Sequence, residues 1–214
     1  MKTKITITLD QARSWFRSGN EELMELALQA FGEDTLVSSF RDITTFEKAC
    51  EVLGLNYDDM FYITKNITTI SKASAAMFKL NIIRKALNLD QDLRLTKNPK
   101  DSYIYYPHNP FVTKSSTYYK SEIDSGKMEV IGKIKSEGEK YNVLGGDATF
   151  GGYAGLGYFY YFDGVGHADA DIGFLGCASR EIAQHFGKYF GMLITEAKYG
   201  DMGDFEIIEA AHYA

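Results

Sequence analysis

Between residues 141 and 176 the chain places ten of its 20 glycines, no Lys, Arg or Glu, and the run Tyr158-Phe159-Tyr160-Tyr161-Phe162. Glycine supplies the positive-φ positions of turns and bulges, while Tyr and Phe fit the pleated, half-buried surface of a sheet. The segment therefore reads as tightly turned β-structure with ring-bearing strands. Alternation along a strand puts Tyr158, Tyr160 and Phe162 on one face and Phe159 and Tyr161 on the other. Tyrosine gives large contact area at low entropic cost. Tyr153, Tyr158, Tyr160, Tyr161 and Phe162, with the Tyr118 and Tyr119 pair, thus form the candidate binding surface. In the competing reading one face is core and the other lies under a helix.

The remainder of the carboxy-terminal half has strand texture. Tyr103-Ile104-Tyr105-Tyr106 reads as a strand ended by Pro107, because proline cannot extend a hydrogen-bond ladder. Pro107 and Pro110 bracket a His108-Asn109 loop. Residues 127–135 read as a strand with a bulge at Gly132, and further strands are expected over 158–162 and 168–175. Ser179-Arg180-Glu181 is a helix start, and Ile182, Ala183, Phe186, Tyr189, Phe190 and Leu193 form the face that closes the fold against the sheet. Residues 198–214 read as an extension.

The amino-terminal half reads as helices. Thr8 with Gln11, and Thr44 with Glu47, have the hydroxyl-to-amide or carboxylate spacing of a capping box. Phe46, Ala49, Cys50 and Leu53 recur at helical spacing before Gly54. Leu23, Leu26, Ala27, Ala30 and Phe31 make a second apolar stripe, and Ala76, Leu80, Ile83 and Leu87 a third. Trp15 and Phe16 beside Arg13 and Arg17 offer a rival docking face on the first helix. The fold class is α+β: a helical lobe over residues 1–97, then a mainly antiparallel sheet closed by a helix over 98–214. The two parts are separate or merged in one domain.

Charge and hydropathy narrow the partners. With 214 residues, 24% charged, and a net charge of −6, broad binding to a nucleic-acid backbone is disfavoured, since it relies on clustered Lys and Arg. No stretch approaches the roughly 18 apolar residues of a membrane span. The alternating start lacks the apolar core of a signal peptide. Cys50 and Cys177 read as buried small hydrophobes, which places folding in a reducing host cytosol, with later packaging into a virion compatible.

Chemistry is sparse. In His167-Ala168-Asp169-Ala170-Asp171, strand alternation puts His167, Asp169 and Asp171 on one face, where they offer a divalent metal an imidazole and two carboxylates. The competing reading is a solvated polar face. Gly145-Gly146-Asp147-Ala148 lacks the Gly-Lys-Ser/Thr of a phosphate loop and reads as a turn. Cys177 with His185 lacks the electropositive, accessible setting of a reactive thiol. His108 and His212 read as solvated loop residues. No catalytic residue is assigned and no cofactor is required, divalent metal aside.

Several short motifs recur in order: the 76–89 helix (AMFKLNIIRKALNL), Tyr105-Tyr106-Pro107, Gly145-Gly146-Asp147-Ala148, Ala154-Gly155-Leu156-Gly157 and Ile172-Gly173-Phe174. Ser179-Arg180-Glu181 and Phe186-Gly187-Lys188-Tyr189-Phe190 follow. Over residues 43–190 this order resembles small uncharacterised proteins of gut Bacteroidales and their phages, crAss-like ones included. That pattern carries an Arg after the Gly-Phe or Gly-Ser step, where this chain has Leu175 and Gly176 before Cys177. The resemblance implies a phage or prophage setting and carries over no catalytic residue. The resulting expectation is a non-enzymatic interaction protein, a virion or assembly component in its most concrete form, binding a protein partner or its own copies. An intracellular host-directed inhibitor shares these features. A metal-dependent hydrolase using the His167, Asp169, Asp171 strand is the alternative from another class.

Overall fold

A computed structural model describes residues 6–17, 20–32, 36, 39–88, 104–113, 117, 119–151 and 175–212. The helices begin where side chains replace missing backbone acceptors. Thr8 Oγ1 accepts from Gln11 N at 3.2 Å while Gln11 Oε1 accepts from Thr8 N at 3.1 Å, and this reciprocal cap opens α1 (Leu9–Arg17). Asn20, Thr45, Asn56 and Ser71 each accept the backbone N–H three residues on. They open α2 (Glu21–Phe31), α3 (Phe46–Val52), α4 (Tyr57–Thr68) and α5 (Lys72–Leu87). The cap expected at Thr44 falls on Thr45, because Thr44 N is already bonded to Asp42 O at 3.1 Å in the preceding 3-10 turn, Phe40–Asp42.

The stripes of α3 and α5 are core: Phe46, Ala49 and Cys50 are buried, as are Ala76, Leu80, Ile83 and Leu87. The stripe of α2 is not. Only Ala27 is buried there, while Leu26 is 48% exposed and Ala30 is also exposed. The reason is the narrowness of its partner. α1 and α2 pack over a small cluster of Ala12, Ala27 and Leu36, which Leu28, Trp15 and Phe16 flank, so α2 turns Leu26 and Ala30 outward. Trp15 and Phe16 therefore serve that cluster and are not anchors of a free face. Arg13 is buried too, its Nη2 donating to Val52 O at 2.9 Å and so tying α1 to α3.

In the second half the order is β1 (Ile104–His108), β2 (Phe111–Thr113), α6 (Lys120–Asp124), β3 (Glu129–Ser136), β4 (Glu139–Gly145), β5 (Asp147–Gly151), α7 (Arg180–Tyr199) and β6 (Glu206–Ala210). β1 pairs with β5, and β2-β4-β3-β6 form a four-stranded sheet, every pairing antiparallel. The chain is thus α+β, helices first and a long closing helix late. The register of β3 shifts between Val130 and Gly132, the bulge expected there.

Two expectations fail. Pro107 does not end the strand; it lies inside β1. Tyr105 exchanges backbone hydrogen bonds with Cys177, at 3.0 and 2.8 Å, on the side away from β5. Pro107, two residues on, directs its nitrogen to that same side, so no bond to β5 is lost. Nor do residues 198–212, the described part of the expected extension, extend from the fold. α7 runs to Tyr199, and β6 then pairs with β3, placing Ile207 and Phe205 against Ile131, Ile134, Val143 and Met192. Asp201, in the connecting turn, accepts from the backbone N–H of Lys72 at 2.8 Å and from the Ser71 hydroxyl, so it caps α5 from across the fold.

Ser179 caps α7, whose Ile182, Ala183, Phe186, Phe190 and Leu193 enter the largest core cluster with Phe46, Leu80, Ile83 and Ala148. α7 makes its most extensive helix contact with α5 while its other sides meet β1 and β5. It therefore lies between the helices and the strands, and both halves share one core. Among the described residues no helix is long and apolar enough to cross a membrane.

Candidate functional site

The Gly145-Gly146-Asp147 step turns β4 into β5, with Gly146 at φ 103°. It places Asp147 among Lys127, Arg180 and the His108 imidazole, from distant parts of the chain. Lys127 Nζ lies 3.5 Å and His108 Nδ1 3.9 Å from Asp147 Oδ2, and Arg180 Nη1 lies 3.7 Å from Oδ1. These separations exceed hydrogen-bond length, so Lys127 and Arg180 act on Asp147 by charge. Arg180 Nη1 spends its directed bond on Ala148 O at 3.1 Å. The cluster clasps the end of β1, the turn after α6, the start of β5 and the start of α7. Partly exposed pairs of this kind contribute about 0–1 kcal/mol each, so the clasp orients segments more than it stabilises them.

Of the expected binding surface, Tyr119 alone is described. It precedes α6, half-buried, with its ring edge-on to His108 at 6.2 Å. His108 is thus an ordered end of β1 and not a solvated loop residue. Tyr118, Tyr153, Tyr158, Tyr160, Tyr161 and Phe162 lie outside the described residues, as do His167, Asp169 and Asp171, the strand expected over 158–162 and, Leu175 apart, the one expected over 168–175. Among the described residues no group of three or more His, Cys, Asp or Glu is placed to hold a metal ion.

Both thiols are buried and free. Burial pushes Cys50 up to about 11 and Cys177 up to about 12, which leaves each protonated and inert at neutral pH. His185 meets the Ile43 carbonyl at 2.8 Å, and Tyr189 lies between it and His212, with centroids at 4.5 and 4.9 Å. His212 is therefore packed, contrary to the solvated reading.

The described surface that carries a chemical signature is on α4. Tyr57, Phe61, Tyr62 and Ile63 all face solvent, with Tyr62 at 64% and Phe61 at 46% exposure, and Ile70 just beyond the helix reaches 88%. The rings run as a series: Tyr57 to Phe61 and Phe61 to Tyr62 are each 6.2 Å between centroids. Asn56 starts the helix and the acidic Asp58 and Asp59 suit its first turn. Thr64 is its buried residue, so the short helix docks on α5 by a thin face. Beside Phe61 runs a groove of about 450 Å³ between α4 and α5, lined by Phe61, Thr64, Lys65, Thr68, Thr69 and Lys79. Burial lowers the pKa of Lys79, and the charge of Glu196 opposes that shift.

Sequence reasoning passed over this face. Its signal was Phe61-Tyr62-Ile63 itself: successive helical residues diverge by about 100°, so three large apolar neighbours cannot all reach one core. Comparison with protein-family models, with curated proteins and with solved structures finds no match to this chain.

Proposed function

We propose that this chain is a non-enzymatic interaction protein of a phage or mobile element, acting through contacts with another protein or with its own copies. The observation that carries the reading is the linked series of exposed rings Tyr57, Phe61 and Tyr62, with Ile63 and Ile70 exposed as well. Exposed aromatic side chains in contact with one another on a folded chain mark a place that something else covers, and aromatic residues concentrate in such contacts. The Tyr-rich surface of Tyr118, Tyr119, Tyr153, Tyr158, Tyr160, Tyr161 and Phe162 is the companion candidate. The ordered motifs over residues 43–190 support the phage setting, with a virion or assembly component as its most concrete form.

The test is light scattering on the size-fractionated protein, with and without EDTA, together with affinity capture from host lysate. Both use the wild type and a Phe61→Ala/Tyr62→Ala double variant. The expected result is a metal-independent oligomer or a defined captured protein, weakened roughly tenfold or more in the variant. A captured host enzyme that loses activity on binding would select the host-directed inhibitor. A wild type that neither associates nor captures anything, with the variant indistinguishable from it, would overturn the proposal. Metal-dependent hydrolysis abolished by Asp169→Ala would put the hydrolase in its place.

A further inference from the structure

The α4/α5 groove is lined by two lysines, Lys65 and Lys79, of which Lys79 feels the charge of Glu196, in a chain of net charge −6. Lys65 stands exposed at it and forms no ion pair with another described residue. The hydroxyls of Thr64, Thr68 and Thr69 donate to the carbonyls of Met60, Thr64 and Asn66 at 2.8, 2.9 and 2.7 Å. Those internal bonds leave methyl groups, lysine stems and the Phe61 ring as the wall, so the groove suits an apolar side chain flanked by negative charge.

The chain itself carries that complement. α2 displays Glu22, Leu26 and Ala30 at i, i+4 and i+8, all exposed, and Glu25 lies beside them. The helix contains no Lys, Arg or His. Leu26 is 48% exposed at the centre of this acidic surround.

We propose that the α4/α5 groove of one copy receives the α2 face of a second copy, with Leu26 in the groove and Glu22 or Glu25 paired with Lys65. The inference rests on the interaction reading above and names the partner as the chain itself. Groove and ligand are different surfaces of one molecule, so copies either exchange the contact reciprocally in a two-fold dimer or add head to tail, as a ring if the rotation closes and a filament if it does not.

The experiment is sedimentation velocity across protein concentration for the wild type, Leu26→Lys and Lys65→Glu, with circular dichroism to confirm that each variant is folded. Both positions are exposed, so each substitution removes contact without opening the core. The wild type is expected to associate and each variant to associate roughly tenfold more weakly, as for the loss of about 1.4 kcal/mol. The decisive arm is an equimolar mixture. Leu26→Lys keeps a working groove and Lys65→Glu keeps a working α2, so together they form a dimer with one copy of each at concentrations where either variant alone is monomeric. A monomeric wild type, variants that associate like the wild type, or a mixture that stays monomeric would each overturn the proposal. A monomeric wild type that still captures a protein through Phe61 and Tyr62 overturns self-docking alone and leaves the interaction reading standing.

Discussion

His185 links a single side chain to the behaviour of the fold with pH. Burial lowers its pKa below the ordinary 6.5; the Ile43 carbonyl and Asp42 oppose that shift, and Arg41 and Lys188 add to it. In the window below 6.5 the unfolded chain therefore binds the proton more readily than the folded one. The stability that the neutral ring supports is full above 6.5 and is lost as pH falls through the lower folded value. Thermal midpoints measured from pH 8 to 5 are expected to fall along the acid limb, and His185→Gln is expected to flatten that limb. An unchanged limb in the variant would remove His185 as its source. The sequence shows where His185 lies on α7, but the shift comes from burial by parts of the chain far from it, Ile43 at the ring being 142 residues away. Asp147 repeats the pattern: its turn is legible from the flanking glycines, and the Lys127, Arg180 and His108 around it are not.

At the scale of elements, α7 and the strands approach closely because α7 carries small residues one turn apart. A Cβ on Gly191 would run into Ile131 Cδ1 and the Asn109 amide, and one on Gly187 would lie 3.1 Å from Pro107 Cβ. Asn109 Nδ2 fills the gap, donating to Leu144 O and Gly187 O at 2.9 Å each. Gly191→Ala is expected to lower unfolding free energy by about 1–3 kcal/mol, the usual cost of overpacking. Gly203→Ala, with nothing within 4 Å of the added carbon, is expected to stay within roughly 0.5 kcal/mol. Urea denaturation of the two variants beside the wild type checks both. Helix starts were legible because a cap is a contact over three residues. The outward turn of Leu26 and the strand β6 were not, since each depends on a distant partner: α1's narrow face in one case and β3's open edge in the other.

Across the whole molecule the core is unevenly divided. The main cluster joins α3, α5, β5 and α7, whereas α1 and α2 share a small cluster centred on Ala12, Ala27 and Leu36, with Arg13 bonded to Val52 O. Opening free energy follows the apolar surface that must be exposed. In native-state hydrogen exchange, α5 and α7 are expected to exchange last and together, and α1 and α2 earlier, at lower opening free energy. Equal protection of all four helices would refute this division. From the sequence alone came what short-range chemistry determines: the helix starts at Thr8 and Ser179, the stripes of α3 and α5, the bulge near Gly132, the buried cysteines and the α+β class. Each rests on hydrogen bonds or periodicity within about a dozen residues. Tertiary structure alone decided that α7 lies between helices and sheet, that residues after Tyr199 complete the sheet, and that α4 leaves its rings in water. Those outcomes depend on which surfaces compete for the same partner, and that competition is settled only when the whole chain is packed.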